Sequence, residues 1–382
     1  MKVSIVTYAD LGDVENLKTP TILPLIEKFY KQRELNQVIC RQKKNFYFPD
    51  TFGALNIFFK LILRVIKLIK PKFQLRVWEQ KIFDYFAIKK LKKADIIFVH
   101  PVVFPKVIKK AKKQGSILVG IATTIHPKQS GELKRREPFF IAGENFEEKV
   151  FNNKEEFLTD SCDYIITLSD FAKETYVQEG HSSNKVFVAT TDINIAKYKP
   201  APEKKKNNFQ VLFVANLLLT KGLHYLLKAW EDLNLKNAEL VVVGKFPEAL
   251  KNKYYTGIDK MKSVKLVGQV KNIIDYYQES SVLVLPTLSE GFPKVVIEAM
   301  ACGLSVITTK AGGQLIENGQ NGFVVPFRNS EAIKEKINFL YNNPKEAERI
   351  GKKAREAVLN KQSFAEQAYN SYKQIIKNEF SN

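Results

Sequence analysis

Apolar positions along this chain alternate between two patterns. Runs of consecutive apolar residues predict buried strands at Val3–Tyr8, Ile96–His100, Ile117–Thr123, Tyr164–Leu168 and Val186–Ala189. Between them lie stretches with helical spacing, the clearest from about Thr21 to Gln32, where Ile22, Leu25, Ile26 and Phe29 share one face. A second series predicts strands at Val211–Ala215, Leu240–Val243, Val264–Val267, Val282–Leu285, Ser305–Thr308 and Phe323–Val325. Helices are expected between these, around Leu223–Asp232, Ile273–Ser280, Val295–Ala301 and Glu331–Tyr341. Strands that are apolar throughout and separated by helices imply parallel sheets covered on both faces.

Between the two series, Pro200–Asn208 has two prolines, three consecutive lysines and no apolar period, and reads as a linker. The pattern therefore predicts an α/β protein of two doubly wound, Rossmann-like domains, residues 1–199 and 200–363. A closing helix from about Phe364 to Lys377 is expected, with the stretch 364–382 packing back on the first domain. Two such sheets joined by one linker leave a cleft at the carboxyl ends of their strands, the usual ligand position.

Length agrees with two cores, since 382 residues exceed one comfortable domain. A hydrophobic fraction of 45% marks a globular chain. The charge adds more: a net +20 points to polyanionic partners such as phosphorylated substrates, anionic lipid or nucleic acid. Much of that excess lies between residues 54 and 93, where eleven Lys or Arg face only Glu79 and Asp84. Within it Lys60, Arg64, Lys67 and Lys70 recur at helical spacing along an otherwise apolar run. That is the pattern of an amphipathic helix on an anionic membrane surface, with Phe58, Phe59 and Leu61 inserted, and equally of a packed helix with a solvated basic stripe. No nucleic-acid motif accompanies the lysines, so nucleic acid is not an expected partner. Cys40, Cys162 and Cys302 are odd in number and widely spaced, which argues against disulfides and a zinc site and favours the cytoplasm. The first residues read as a strand rather than a signal peptide, and no apolar run reaches the length of a membrane span. Any membrane contact is then peripheral, at the inner face.

Chemistry concentrates after the strand Val282–Leu285. There a polar loop, Ser289-Glu290-Gly291-Phe292-Pro293, leads into a helix carrying Glu298. The two carboxylates are separated by roughly 12 Å at 1.5 Å per helical residue. A catalytic carboxylate pair acting on one glycosidic bond sits about 5–9.5 Å apart, so these suit two grips on one extended ligand. Gly291 lets backbone approach that ligand, and a helix start offers N–H groups and positive dipole to an anion. A phosphate linked to hydroxyl-bearing groups would satisfy both ends.

These residues resemble a known family. Ser289–Pro293, Glu298 to Gly303, Gly312-Gly313, Glu317, Gly319 and Asn321-Gly322 look like the signature of retaining glycosyltransferases of family 4, the glycosyl transferases group 1. Phe213-Val214-Ala215 followed by Lys221-Gly222-Leu223 resembles the family's phosphate-binding loop, and the likeness runs from roughly residue 160 to 375. It implies the GT-B fold and a metal-independent, retaining hexosyltransferase that uses a UDP- or GDP-sugar donor and no cofactor. Carried over by position, Glu298 would hold the ribose hydroxyls. Glu290 with the N–H groups of Gly291 and Phe292 would hold the donor sugar. Lys221 would neutralise the departing diphosphate, and His126 would hydrogen-bond near the anomeric carbon. Pro293, Lys294, Asn216, Gly244 and Val270 would line the donor site, and Gly12 the acceptor side. Retention in this family is ascribed to front-face attack, without an enzyme nucleophile.

The chain departs from the family at three places. Asn216 stands where an arginine often lies, the loop Tyr8–Asp13 keeps only Gly12 of a usual glycine pair, and Thr191-Asp192-Ile193-Asn194 replaces Asn-Gly-Val-Asp. The expected acceptor is a glycan or lipid-linked glycan of bacterial surface polysaccharide synthesis. A nucleotide-sugar epimerase or phosphorylase on the same fold, and a non-catalytic basic protein that binds membrane or nucleic acid, are the alternatives.

Overall fold

The computed structural model describes residues 1–11, 22–43, 48, 50–53, 65, 68, 75–101, 104–137, 159–202, 208–216, 219–245 and 257–380. Gly12, Lys60, Arg64, Lys67 and Lys70 lie outside the described residues. The chain forms two compact units, Met1–Lys128 with Asn145–Asp192 and Gln362–Asn382, and Gln129–Glu144 with Ile193–Lys361.

The first unit runs β1 (Val3–Leu11), α1 (Ile22–Lys31), β2 (Leu35–Lys43), β3 (Thr51–Gly53), α2 (Leu75–Lys90), β4 (Ile96–His100), α3 (Pro105–Lys113) and β5 (Ile117–Ile121). Helix α4 (Pro127–Arg135) begins where this unit first leaves off, and β6 (Tyr164–Thr167), α5 (Asp170–Gln178) and β7 (Val186–Val188) follow. Its seven strands are parallel in the order β3-β2-β1-β4-β5-β6-β7. Every residue of β4 is buried, as the unbroken apolar run requires. The C-terminal helix, Phe364–Phe380, packs on α1, where Phe29 meets the rings of Tyr372 and Tyr369 at 4.9 and 5.5 Å. Both tyrosine hydroxyls donate to Glu34, at 2.8 and 2.9 Å.

Strands β2 and β3 were not expected from the pattern, because β2 is half polar. Its Gln37 is buried, yet its amide donates to the carbonyl of Lys90 at 2.9 Å and its oxygen accepts from the N–H of Lys92 at 3.0 Å. A satisfied polar side chain costs little inside a protein and hides the strand from a hydrophobicity reading.

The second unit runs β8 (Phe209–Val214), α6 (Leu223–Leu233), β9 (Ala238–Val243), β10 (Val264–Gly268), α7 (Ile274–Glu279) and β11 (Val282–Leu285). It continues through α8 (Lys294–Ala301), β12 (Ser305–Thr309), β13 (Phe323–Val325), α9 (Ser330–Asn342) and α10 (Pro344–Asn360). Its six strands are parallel in the order β10-β9-β8-β11-β12-β13. Helix α10 was also unexpected: its buried stripe is only Ile350, Gly351, Ala354 and Val358 in a largely charged sequence. Strand order reverses between β8 and β11, so the loops leaving their carboxyl ends face one crevice, the switch point of this sheet.

Candidate active site

Two loops of the second unit meet at that switch point, residues 215, 216 and 219–222 after β8 and 286–293 after β11. The carbonyl of Thr220 accepts from the N–H of Leu288 at 2.8 Å and from the hydroxyl of Thr287 at 3.1 Å. From the other side Thr309 donates to the carbonyl of Thr287, and Thr308 donates to that of Leu285 at 2.7 Å. Two glycines permit this crowding. A Cβ on Gly222 (φ +75°) would stand 2.1 Å from the carbonyl oxygen of Pro286, and one on Gly244 (φ +146°) 1.7 Å from that of Ala215. Only a residue without Cβ fits either place.

The bracing brings Lys221 and Glu290 into an ion pair between the ammonium and Oε1. Their side chains are 20% and 16% exposed, so the pair is shielded yet reachable. The hydroxyl of Thr287 lies 3.5 Å from the same carboxylate oxygen, and those of Ser289 and Ser130 of α4 are 3.5 Å apart. Gly291, Phe292 and Pro293 are buried behind the loop. Helix α8 starts directly after Pro293 with no side-chain cap, so its first N–H groups and positive dipole end are offered to the crevice. A ligand phosphate arriving here would compete with Glu290 for Lys221.

Glu298 is placed separately, on α8. Its Oε2 accepts from the phenol of buried Tyr277 at 2.8 Å. Burial pushes its carboxyl above the ordinary range, opposed first by hydrogen bonds from Tyr277 and Tyr198 and then by Lys294 and Lys197. The two tyrosine rings meet edge to face at 6.2 Å. Residues 198 and 199 are fastened to this unit, Tyr198 through its carbonyl to Arg355 at 3.4 Å and Lys199 through its carbonyl to Gln278 at 2.9 Å. Among the other expected donor-site residues, Asn216 and Lys294 are exposed and Gly244 and Val270 half-buried. Gly244 donates its N–H to the carbonyl of Gly268 at 2.9 Å.

Sequence reasoning missed a buried carboxylate beside this site. The Glu137 side chain is 1% exposed and accepts from Arg328 at 2.9 Å, Tyr225 at 3.1 Å and His224 at 3.2 Å. Arg328 also donates to the carbonyl of Leu133 at 3.2 Å, joining the end of α4 to this unit. Burial and the adjacent carboxylate push the Tyr225 phenol up to about 12. These residues are 87 to 191 positions from Glu137, so no local window contains the cluster.

His126 follows β5 in the first unit, and its ring is buried edge to face against Tyr176 at 5.1 Å. Its backbone N–H donates to Thr175 at 2.9 Å. The ligand atoms of His126, Asp160 and His181 lie within 4.8 Å of one another, a spacing open to a divalent cation. However, Nδ1 of His126 accepts from the N–H of Lys128 at 3.3 Å. A neutral ring that accepts at Nδ1 keeps its proton on Nε2, the nitrogen facing Asp160, whereas a metal-binding histidine donates from its other nitrogen. The trio is thus arranged as a histidine–carboxylate–histidine contact rather than a ligand set.

Residues 194–357 match the profile of the family described as Glycosyl transferases group 1. The likeness to that family lies in this part of the chain. The capsular polysaccharide biosynthesis glycosyltransferase CapM of Staphylococcus aureus is 32% identical over 214 residues, covering 53% of this chain and 56% of that protein. The N,N'-diacetylbacillosaminyl-diphospho-undecaprenol alpha-1,3-N-acetylgalactosaminyltransferase of Campylobacter jejuni is 28% identical over 218 residues, covering 52% of this chain and 57% of that protein. The chain thus spans just over half the length of these curated relatives. A crystal structure of Anabaena HepE in complex with UDP and glucose matches over 100% of both chains at 19% identity, with a TM-score of 0.61. With two all-parallel sheets of seven and six strands among the described residues, the fold of this chain is GT-B.

Proposed function

We propose that this chain is a retaining, metal-independent glycosyltransferase of family 4. It moves a hexose from a UDP- or GDP-sugar to a lipid-linked glycan during bacterial surface polysaccharide synthesis. The observation that carries the reading is the Lys221–Glu290 pair beside the uncapped start of α8. Each charge satisfies the other. When a nucleoside diphosphate sugar enters, Lys221 and the α8 N–H groups turn to the diphosphate, and Glu290 is released to accept hydrogen bonds from sugar hydroxyls. Glu298, held by Tyr277, would turn its carboxylate to the ribose hydroxyls.

As the bond from the anomeric carbon to the diphosphate breaks, negative charge grows on the leaving oxygen, where a positioned cation and a helix start stabilise it. The acceptor hydroxyl forms its bond on the face the diphosphate leaves, and its proton passes to the departing phosphate oxygen. His126, with its ring buried, shapes the loop after β5 on the acceptor side. The lipid-linked acceptor is supported by the relative whose name specifies a diphospho-undecaprenol substrate. Such an acceptor places the protein at the inner face of the cell membrane. No helix among the described residues is long and apolar enough to cross a membrane, so attachment would be peripheral.

The test is release of UDP or GDP from a panel of nucleotide sugars, with and without membrane lipid extract, in the presence of a chelator. Lys221→Ala is expected to lower kcat by about 10²–10³-fold, and Glu290→Ala to abolish most turnover. Full turnover by Glu290→Ala rejects the site. Conversion of donor with the nucleotide still attached would identify an epimerase instead.

A further inference from the structure

The surface of α2 carries a second arrangement that the reaction does not use. Trp78 and Tyr85 are 47% and 43% exposed, large values for aromatic rings, and stand seven residues apart on one helical face. Exposed lysines are interleaved with them. The ammonium of Lys81 lies 4.9 Å from the Trp78 ring centre, and those of Lys89 and Lys106 lie 4.3 and 5.3 Å from that of Tyr85. Lys106 comes from α3, which is locked to α2 by Asp84. That buried carboxylate accepts the first N–H groups of α3, from Lys106 and Val107, at 3.0 Å each. The face therefore belongs to two helices tied together. Just upstream, Val65 and Leu68 are 53% and 81% exposed.

We infer that the α2–α3 face of Trp78, Lys81, Tyr85, Lys89 and Lys106 is a docking surface for an anionic lipid bilayer. The rings would sit at headgroup depth and the ammonium groups on lipid phosphates. Tryptophan and tyrosine favour that depth because each has an apolar body and a polar edge, and lysine stems lie along apolar surface while their heads reach anions. The 54–93 stretch, with eleven basic residues against two acidic ones, supplies the complementary charge. A protein partner would have to match an aromatic pair ringed by cations, whereas a bilayer presents apolar depth and phosphate charge together. The inference rests on the membrane-linked acceptor for its purpose, but not for its evidence.

The full chain would be titrated with vesicles of phosphatidylcholine plus phosphatidylglycerol, and with phosphatidylcholine alone, while tryptophan emission is followed. The chain has two tryptophans and Trp230 is 5% exposed in the second unit, so a Trp230→Phe background isolates Trp78. The expected result is a blue shift with anionic vesicles only. Lys81→Gln, Lys89→Gln and Lys106→Gln together, all at exposed positions, should weaken partitioning by about a hundredfold, about fivefold per lysine. Circular dichroism of the triple variant should match the parent, and brominated lipid should quench Trp78 directly. Undiminished vesicle binding by the triple variant, or binding without any change at Trp78, overturns the proposal. Salt-sensitive RNA binding without vesicle binding would overturn it in favour of nucleic acid. Nucleotide release with a soluble acceptor is measured in parallel. Its absence in the parent would reject the enzymatic reading and leave the docking result to stand by itself.

Discussion

Replacing Lys221 by Met and Glu290 by Gln, singly and together, measures whether the pair at the switch point is a stand-in for ligand contacts. Their side-chain exposures of 20% and 16% place the pair between two regimes. Exposed ion pairs contribute about 0.2–1 kcal/mol, and breaking a fully buried one costs about 3–5 kcal/mol. A coupling of about 1–2 kcal/mol is therefore expected in the ligand-free protein. Each single variant loses about that much, and the double variant loses little more than either alone. The assay is urea unfolding followed by Trp230, buried in the second unit, in a Trp78→Phe background. It is repeated at saturating nucleoside diphosphate. There, on the proposed reading, Lys221 would face phosphate whether or not Glu290 is charged, so the coupling should fall towards zero. A coupling below about 0.3 kcal/mol without ligand, the usual limit of additivity, or one that nucleotide leaves unchanged, would refute the exchange of partners.

Gly222→Ala should destabilise the second unit by about 2–4 kcal/mol, from the left-handed backbone and the approach to Pro286, and abolish nucleotide binding; thermal melting and calorimetry check both. Glu298→Gln tests a sign. Because burial raises the Glu298 pKa, the folded protein retains a proton the unfolded chain has already lost. Stability should then fall as pH rises from the ordinary carboxylate range through the raised value. The variant should flatten that fall, melting higher at neutral pH while binding nucleotide more weakly; an unchanged slope of Tm against pH counts against it. Arg328→Met should cost about 3–5 kcal/mol by leaving the Glu137 carboxylate buried without its guanidinium. Adding Glu137→Gln should restore part of the loss, as seen in the same melts.

The parts that were legible in the sequence share a physical cause. Val282–Leu285 read as a buried strand because a parallel strand covered on both faces must be apolar at every position. Helix α8 read as a helix because an apolar run follows a polar loop. Strand β2 and helix α10 escaped because their burial rests on a satisfied glutamine in one case and a narrow small-residue stripe in the other. The pattern at Lys60, Arg64, Lys67 and Lys70 lies outside the described residues, whereas the pairing of Trp78 and Tyr85 with lysines of α2 and α3 shows only in the structure, because Lys106 reaches Tyr85 from another helix.

The sequence by itself determined the α/β layering, the two-sheet organisation and the chemical inventory of the loop from Ser289 to Glu298. These follow from short-range periodicity, which every residue in a strand or helix must obey. Tertiary structure alone decided which groups neutralise one another. Lys221 and Glu290 are 69 positions apart, and Tyr277 and Glu298 are 21 apart. They meet because β8 lies beside β11, and because α7 and α8 flank that strand in the chain. Strand order arises from packing summed over the whole sheet, so no window of sequence contains it.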